Sequence, residues 1–145
     1  MIDISVLDTA TDNEFVDVST LLRHLHEGSS STYAPDQQRF KDIIASSHID
    51  FVVARDGEKI VAMAMLYTLS HVDEIAGHVD DVVVADSYRG QGIATKLMEK
   101  VISIARERGH RYIDLTSRPS REAANHIYKK IGFQKRETNP YRLKL

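Results

Sequence analysis

Apolar and polar positions alternate through residues 2–7 (IDISVL), the period of a half-buried strand. From Thr11 to His26 the apolar residues Phe15, Val18, Leu21, Leu22 and Leu25 recur at helical spacing. The stretch EGSSSTYAP (27–35) is a loop of small residues, and a second helix of about a dozen residues is predicted after Pro35, with Phe40, Ile43 and Ile44 on its apolar face. IDFVVAR and KIVAMAMLYTLS read as two strands joined at Asp56-Gly57, a short-range hairpin signal, and a further strand ends in VDDVVVA. From Gly92 to Arg108 the residues Ile93, Leu97, Val101, Ile104 and Ala105 form one helical face, which Gly109 terminates. RYIDLTS predicts another strand, and Ser120 to Lys130 a short helix with Ala124, Ile127, Tyr128 and Ile131 as its apolar side, stopped by Gly132. YRLKL predicts a last strand. With no repeats or linkers, the pattern implies one α/β domain over residues 1–145, a mixed sheet flanked by helices.

Composition narrows the chemistry. A chain of 145 residues can bury a core without a metal or disulfide, and the absence of cysteine removes disulfides, a thiolate nucleophile and cysteine-ligated zinc. The N-terminus lacks the basic start and apolar core of a signal peptide. The longest apolar run, IVAMAMLY, is too short to span a bilayer, so a soluble, cytoplasmic protein with no membrane partner is expected. With 19 basic and 21 acidic side chains and no basic stripe, the chain lacks the electrostatic footprint of a nucleic-acid binder. Small molecules or peptides are the expected partners.

The most informative stretch is DSYRGQGIATKLM (86–98), between a valine run and a helix. A helix N-terminus leaves amides without partners and carries partial positive charge, which suits an anion. Gly90 and Gly92 allow close backbone approach to phosphate oxygens, and Arg89 can add a charged hydrogen bond. Alternatively, two glycines simply turn a tight corner. A Walker loop does not fit, because Thr95 stands where its second glycine belongs. A dinucleotide fingerprint finds two of its three glycines, with Asp114 as a possible ribose acid.

R-G-Q-G-I-A (89–94) resembles the [Q/R]-x-x-G-x-[G/A] signature of the GNAT superfamily of N-acetyltransferases, and A-A-N-H-I-Y-K-K-I-G-F (123–133) is similar to the family's later A-x-x-x-Y-x-x-x-G-F motif. The resemblance is specific over about residues 78–133 and elsewhere rests on element order. It implies the GNAT acyl-CoA N-acyltransferase fold, acetyl-CoA as co-substrate, an amine acceptor and no metal. By the same resemblance, the main chain of Val82, Val83 and Val84 pairs with the pantetheine arm, and amides of Arg89, Gly90, Gln91, Gly92, Ile93, Ala94 and Thr95 meet the pyrophosphate. Asn125 lies near the coenzyme, and Tyr128 contacts it and protonates the departing sulfur. From its helical face alone, Tyr128 could equally be a core tyrosine, and Asn125 a solvated helix residue.

The base is open among His78, Asp80 and Asp81. If Glu74 and Gly77 flank a two-residue turn in HVDEIAGHVDD, Asp73 faces His78 and His71 faces Asp80. Those four have metal-ligand character, but solvated cross-strand pairs are the preferred reading. Alternation places His78 and Asp80 on one face and Asp81 on the other. His26, Tyr33 and Tyr141 are candidates to touch the acceptor or simply packing residues. G-H-V-D-D-V-V-V (77–84) is also similar to a stretch of glucosamine-6-phosphate N-acetyltransferases, whereas TSRPSREAANHIYKK departs from that subfamily. An amino-sugar acceptor, another small or peptide amine, and a non-catalytic acyl-CoA-binding module therefore stay open, and an edge at YRLKL would permit a homodimer.

Overall fold

The structure, a computed structural model, describes residues 1–27 and 34–145. Residues 28–33, and with them most of the EGSSSTYAP loop and Tyr33, lie outside the described residues. The elements run β1 (Ile2–Val6), α1 (Asp12–Leu25), α2 (Gln37–Ala45), β2 (Ile49–Asp56), β3 (Lys59–Ser70), β4 (Ile75–Val84), a 3-10 turn (Asp86–Tyr88), α3 (Ile93–Glu107), β5 (Ile113–Leu115) and α4 (Glu122–Lys130). The five strands form one sheet in chain order, antiparallel from β1 to β4 and parallel between β4 and β5.

Local chemistry explains the boundaries. Thr11 caps α1 in a reciprocal box: its hydroxyl accepts from the Glu14 amide at 3.2 Å, and Glu14 Oε2 accepts from the Thr11 amide at 2.9 Å. The buried Glu14 carboxylate also takes Arg55 at 2.5 Å. Burial alone would raise its pKa, but the Thr11 amide, Arg55 and Thr9 together hold it below the usual carboxylate value. Asp36 caps α2, which is shorter than the periodicity suggests. Between β2 and β3 the two-residue loop is Gly57-Glu58, with Asp56 paired to Lys59, one position later than the dipeptide signal predicts.

Each sheet face carries its own core. Val18, Leu21, Phe40, Phe51, Met63 and Met65 pack on the α1/α2 side, and Leu66, Val79, Val82, Leu97, Val101 and Tyr128 on the α3/α4 side. Strand alternation supplies both, because successive residues of β2 and β3 turn to opposite helices.

Two expectations fail. YRLKL is not a strand; Tyr141, Leu143 and Leu145 are exposed, and the chain has no regular structure after α4 and its closing turn. Alternating residues make a strand only where a ladder is available, and β5, three residues long, offers a short one. The edge that would have supported pairing of two copies through YRLKL is therefore absent. The β3–β4 connection spans residues 71–74: Ser70 pairs with Ile75, His78 with Tyr67 and Asp80 with Met65. His71, Asp73, His78 and Asp80 do not face one another as the two-residue turn required, and the hypothetical metal quartet goes with that register.

Candidate active site

Strand β4 has two different halves. Gly77, His78 and Val79 pair with β5, but among the described residues no strand pairs with the outer edge of β4 beyond Val79. A bulge interrupts β4 at Asp81, whose φ of +52° is the only positive value at a non-glycine among the described residues. It reverses the parity of the strand, so that Val79 and Val82, three positions apart, both enter the α3/α4 core while Val83 enters the other. Asp81 consequently lines the cavity on the α1/α2 side, the side to which His78 and Asp80 belong through their partners Tyr67 and Met65. Strict alternation had put Asp81 on the opposite face from those two; the extra residue of the bulge overturns that placement.

The Ala85 amide bonds back to Val61 on β3 at 2.9 Å, so Val82 and Val84 direct their polar main-chain groups away from β3, into the gap left by β5. Side chains occupy the two carbonyls: Arg121 Nη2 donates to Val82 O at 3.0 Å and Arg89 Nε to Val84 O at 3.3 Å. Such an edge can accept an extended ligand with its own amides, as it would a further strand.

The edge runs into the glycine loop. Gly90 and Gly92 have φ of +76° and +77°, left-handed values that disfavour a side chain. A Cβ on either would meet nothing within 4 Å, so the space over the loop is open. Gly92 caps α3 without a side chain; the first intrahelical bond is Lys96 N to Gly92 O at 3.2 Å, and the amides of Ile93, Ala94 and Thr95 precede it. These amides and the helix dipole fit a phosphate group. Arg89 is turned back, with Nη2 2.8 Å from Asp86 Oδ1, and braces the loop. Gln91 likewise donates to Ser87 O at 3.4 Å.

On α4, Tyr128 is 6% exposed, its ring edge-on to Phe133 at 5.9 Å. Burial pushes its phenol pKa up, and the positive charge of Arg121 opposes the rise. Asn125 donates to the carbonyls of Arg118 and Arg121, both at 2.9 Å, which fixes the segment entering α4. It acts as a positioning residue for Arg121 here. Asp114, the possible ribose acid, is held by Arg136 at 2.9 Å.

Across the sheet, α1, α2 and the strands line a half-open cavity of about 210 Å³. Its walls include Phe15, Leu22, Phe40, Phe51, Met63 and Met65, and Asp81 and His26 are among its few polar groups. Burial and the neighbouring Asp80 raise the Asp81 pKa, and His26 counteracts them. Tyr67, paired with His78, has its phenol raised by burial and by Asp81 and Asp80.

Arg121 and the apolar cavity were missed at the level of sequence. Arg121 lies in the stretch that departs from the amino-sugar enzymes, a departure that could have drawn attention to it. The cavity walls come from five separated elements and leave no local signal. Tyr141 is 90% exposed in the irregular C-terminal segment. No described helix is long and apolar enough to cross a membrane.

Comparison with known proteins bears on this arrangement. The model of the Acetyltransferase (GNAT) family matches residues 15–133. The chain is similar to the N-alpha-acetyltransferase RimI of Mycobacterium tuberculosis, 30% identical over 96 residues that make up 66% of this chain and 59% of the relative. It spans about half the length of the curated relatives it matches. Among solved structures it resembles an acetyltransferase of Trypanosoma brucei, with a TM-score of 0.79, 25% identity and 100% of each chain covered. An aminoglycoside acetyltransferase, meta-AAC0020, from an uncultured soil metagenomic sample shares the fold at a TM-score of 0.86 and 18% identity, with 99% of this chain and 96% of that one covered.

Proposed function

The chain belongs to the GNAT acetyltransferase family, and from that premise we propose that it transfers the acetyl group of acetyl-CoA to a primary amine by direct attack in a ternary complex. The observation that carries this reading is the unpaired edge of Val82 and Val84 running directly into the open glycine loop. The pantetheine amides bond to that edge, and the pyrophosphate sits on the amides that open α3. Arg121 yields the Val82 carbonyl as the ligand arrives and remains beside Tyr128.

Asp81 accepts a proton from the acceptor ammonium, directly or through water. The neutral nitrogen attacks the thioester carbon, forming the C–N bond and a tetrahedral intermediate, which loses its second nitrogen proton to solvent. Collapse breaks the C–S bond, and the coenzyme A thiolate takes a proton from Tyr128, which regains one from solvent. A phenol near pKa 10 gives a proton to a thiol group near 8.5 only against a modest gradient, which burial steepens and Arg121 reduces. Burial first, and then the neighbouring Asp80, raise the Asp81 pKa, the direction a proton acceptor needs, and His26 opposes them.

Thiol release from acetyl-CoA across an amine panel tests the reading. Tight coenzyme binding with no release on any amine would instead favour a non-catalytic acyl-CoA-binding module.

A further inference from the structure

The cavity beside Asp81 is lined mostly by apolar side chains. Phe15 and Leu22 of α1, Phe40 and Ile43 of α2, and Phe51 and Met65 of the sheet line it. Its volume, about 210 Å³, compares with the roughly 150 Å³ of an apolar protein cavity that takes up benzene. One aromatic ring or branched aliphatic chain fills such a space. Among the described residues, a sugar ring would set several hydroxyls against the apolar walls of Phe15, Leu22, Phe40, Phe51 and Met65, which offer them no partners, and each unpaired hydroxyl is costly. Of the polar groups, Asp36 is committed to capping α2 through the Arg39 amide at 2.7 Å, Arg39 is exposed at the outer rim, and His26, just after α1, acts electrostatically on Asp81. Asp81 is the carboxylate on the sheet wall, at the bulge from which the unpaired edge departs. An ammonium there gains a counter-charge and has its carbon chain directed toward the aromatic wall.

We infer that the acceptor is a primary amine carrying a single apolar side chain, phenylethylamine in size, whose side chain occupies this cavity and whose nitrogen meets Asp81. The inference rests on the acetyltransferase reading and names its substrate class. A free arylalkylamine and an apolar N-terminal residue of a peptide share this chemistry.

The experiment measures kcat/KM for the full chain with acetyl-CoA and 2-phenylethylamine, isopentylamine, ethanolamine, glucosamine and a tetrapeptide beginning with phenylalanine. Calorimetry of 2-phenylethylamine with the coenzyme A-bound protein reads binding independently of turnover. The two apolar amines, or the tetrapeptide, should exceed ethanolamine and glucosamine by roughly ten-fold or more. Preference for the tetrapeptide assigns a peptide source, and preference for the free amines a small-molecule source. Ile43→Asn, a change in a half-buried wall residue that also packs against the α1/α2 core, should lower 2-phenylethylamine affinity several-fold and Tm by a few degrees, while leaving the acetyl-CoA affinity of the folded protein near wild type. Equal or better turnover of ethanolamine or glucosamine overturns the inference and leaves the acetyltransferase reading standing. Binding of 2-phenylethylamine that Asp81→Asn weakens, without thiol release from any amine, supports the cavity assignment and removes the transfer reading. If no apolar amine or peptide either binds or reacts, the inference is overturned.

Discussion

The two halves of β4 differ in what their backbones are left to do. From Ile75 to Val79 the strand has β3 along one side and, at its end, β5 along the other. Gly77 is packed so closely that a Cβ would lie 2.7 Å from His110 Nδ1 and 3.0 Å from Leu66 Cδ1. From Asp80 to Val84 the strand is bulged, keeps only β3, and lends two carbonyls to arginine side chains. A saturated ladder with no spare volume anchors. A half-saturated one, adjoining left-handed glycines with open space above them, can receive a ligand. One strand thus carries both the rigidity and the vacancy that acyl transfer needs, and the bulge at Asp81 marks where one becomes the other.

Four experiments break or sharpen this contrast. The largest effect is expected from Tyr128→Phe, beside the open half: kcat should fall by about a hundred-fold or more, with the acetyl-CoA dissociation constant nearly unchanged. An unchanged rate under conditions where chemistry limits turnover would reduce Tyr128 to a core residue. Gly77→Ala tests the saturated half. It should destabilise the fold by about 1–3 kcal/mol in denaturant titrations, because the His110 ring and Leu66 must shift, while folded protein keeps its coenzyme affinity.

Gly92→Val should weaken acetyl-CoA binding on the order of ten-fold, more than Arg89→Ala does, because a branched side chain enters the open volume and opposes a φ of +77°. Arg89 contacts Asp86 and Val84, so its loss loosens the loop without deleting the amides. Isothermal titration of both variants, with thermal unfolding alongside, gives the ranking. Wild-type binding by folded Gly92→Val would mean that the glycines only turn a corner.

The smallest effect concerns Asp81. Burial and Asp80 raise its folded pKa above the ordinary 3.8, and His26 opposes them, so protonation favours the folded state. Below the ordinary value both folded and unfolded forms are protonated and no penalty exists. As pH rises through the raised value, the anion opposes folding. Asp81→Asn should therefore raise Tm by a few degrees at about pH 7, and the gain should vanish toward about pH 4. A gain independent of pH would show that shape, not charge, sets the strain at the bulge.

Much of this was legible from local pattern. Local pattern located all four helices, α2 somewhat overlong, and the five strands, because amphipathic repeats report one buried face. Gly90 and Gly92 were read correctly as a strand-to-helix turn because a left-handed backbone constrains residue type directly. Gly77 was misread as a turn flank. Its glycine answers to the His110 ring thirty-three positions away, a constraint with no trace among its neighbours. YRLKL alternates well enough, but strand formation needs a partner edge, which alternation cannot supply.

By itself, then, the sequence determined the helices, the principal strands and the glycine loop ahead of α3, and it carried the motifs by which the family is recognised. Each of these depends on residues within a few positions of one another, through backbone preference and the burial of one face. Only the tertiary structure decided that β4 separates from β5 after Val79, that a bulge brings Asp81 onto the face of the apolar cavity, and that Arg121 reaches the Val82 carbonyl. Those features depend on strand register and on contacts between distant segments. A one-residue change of register reverses every side chain that follows it, so no local pattern could have shown which face Asp81 would take.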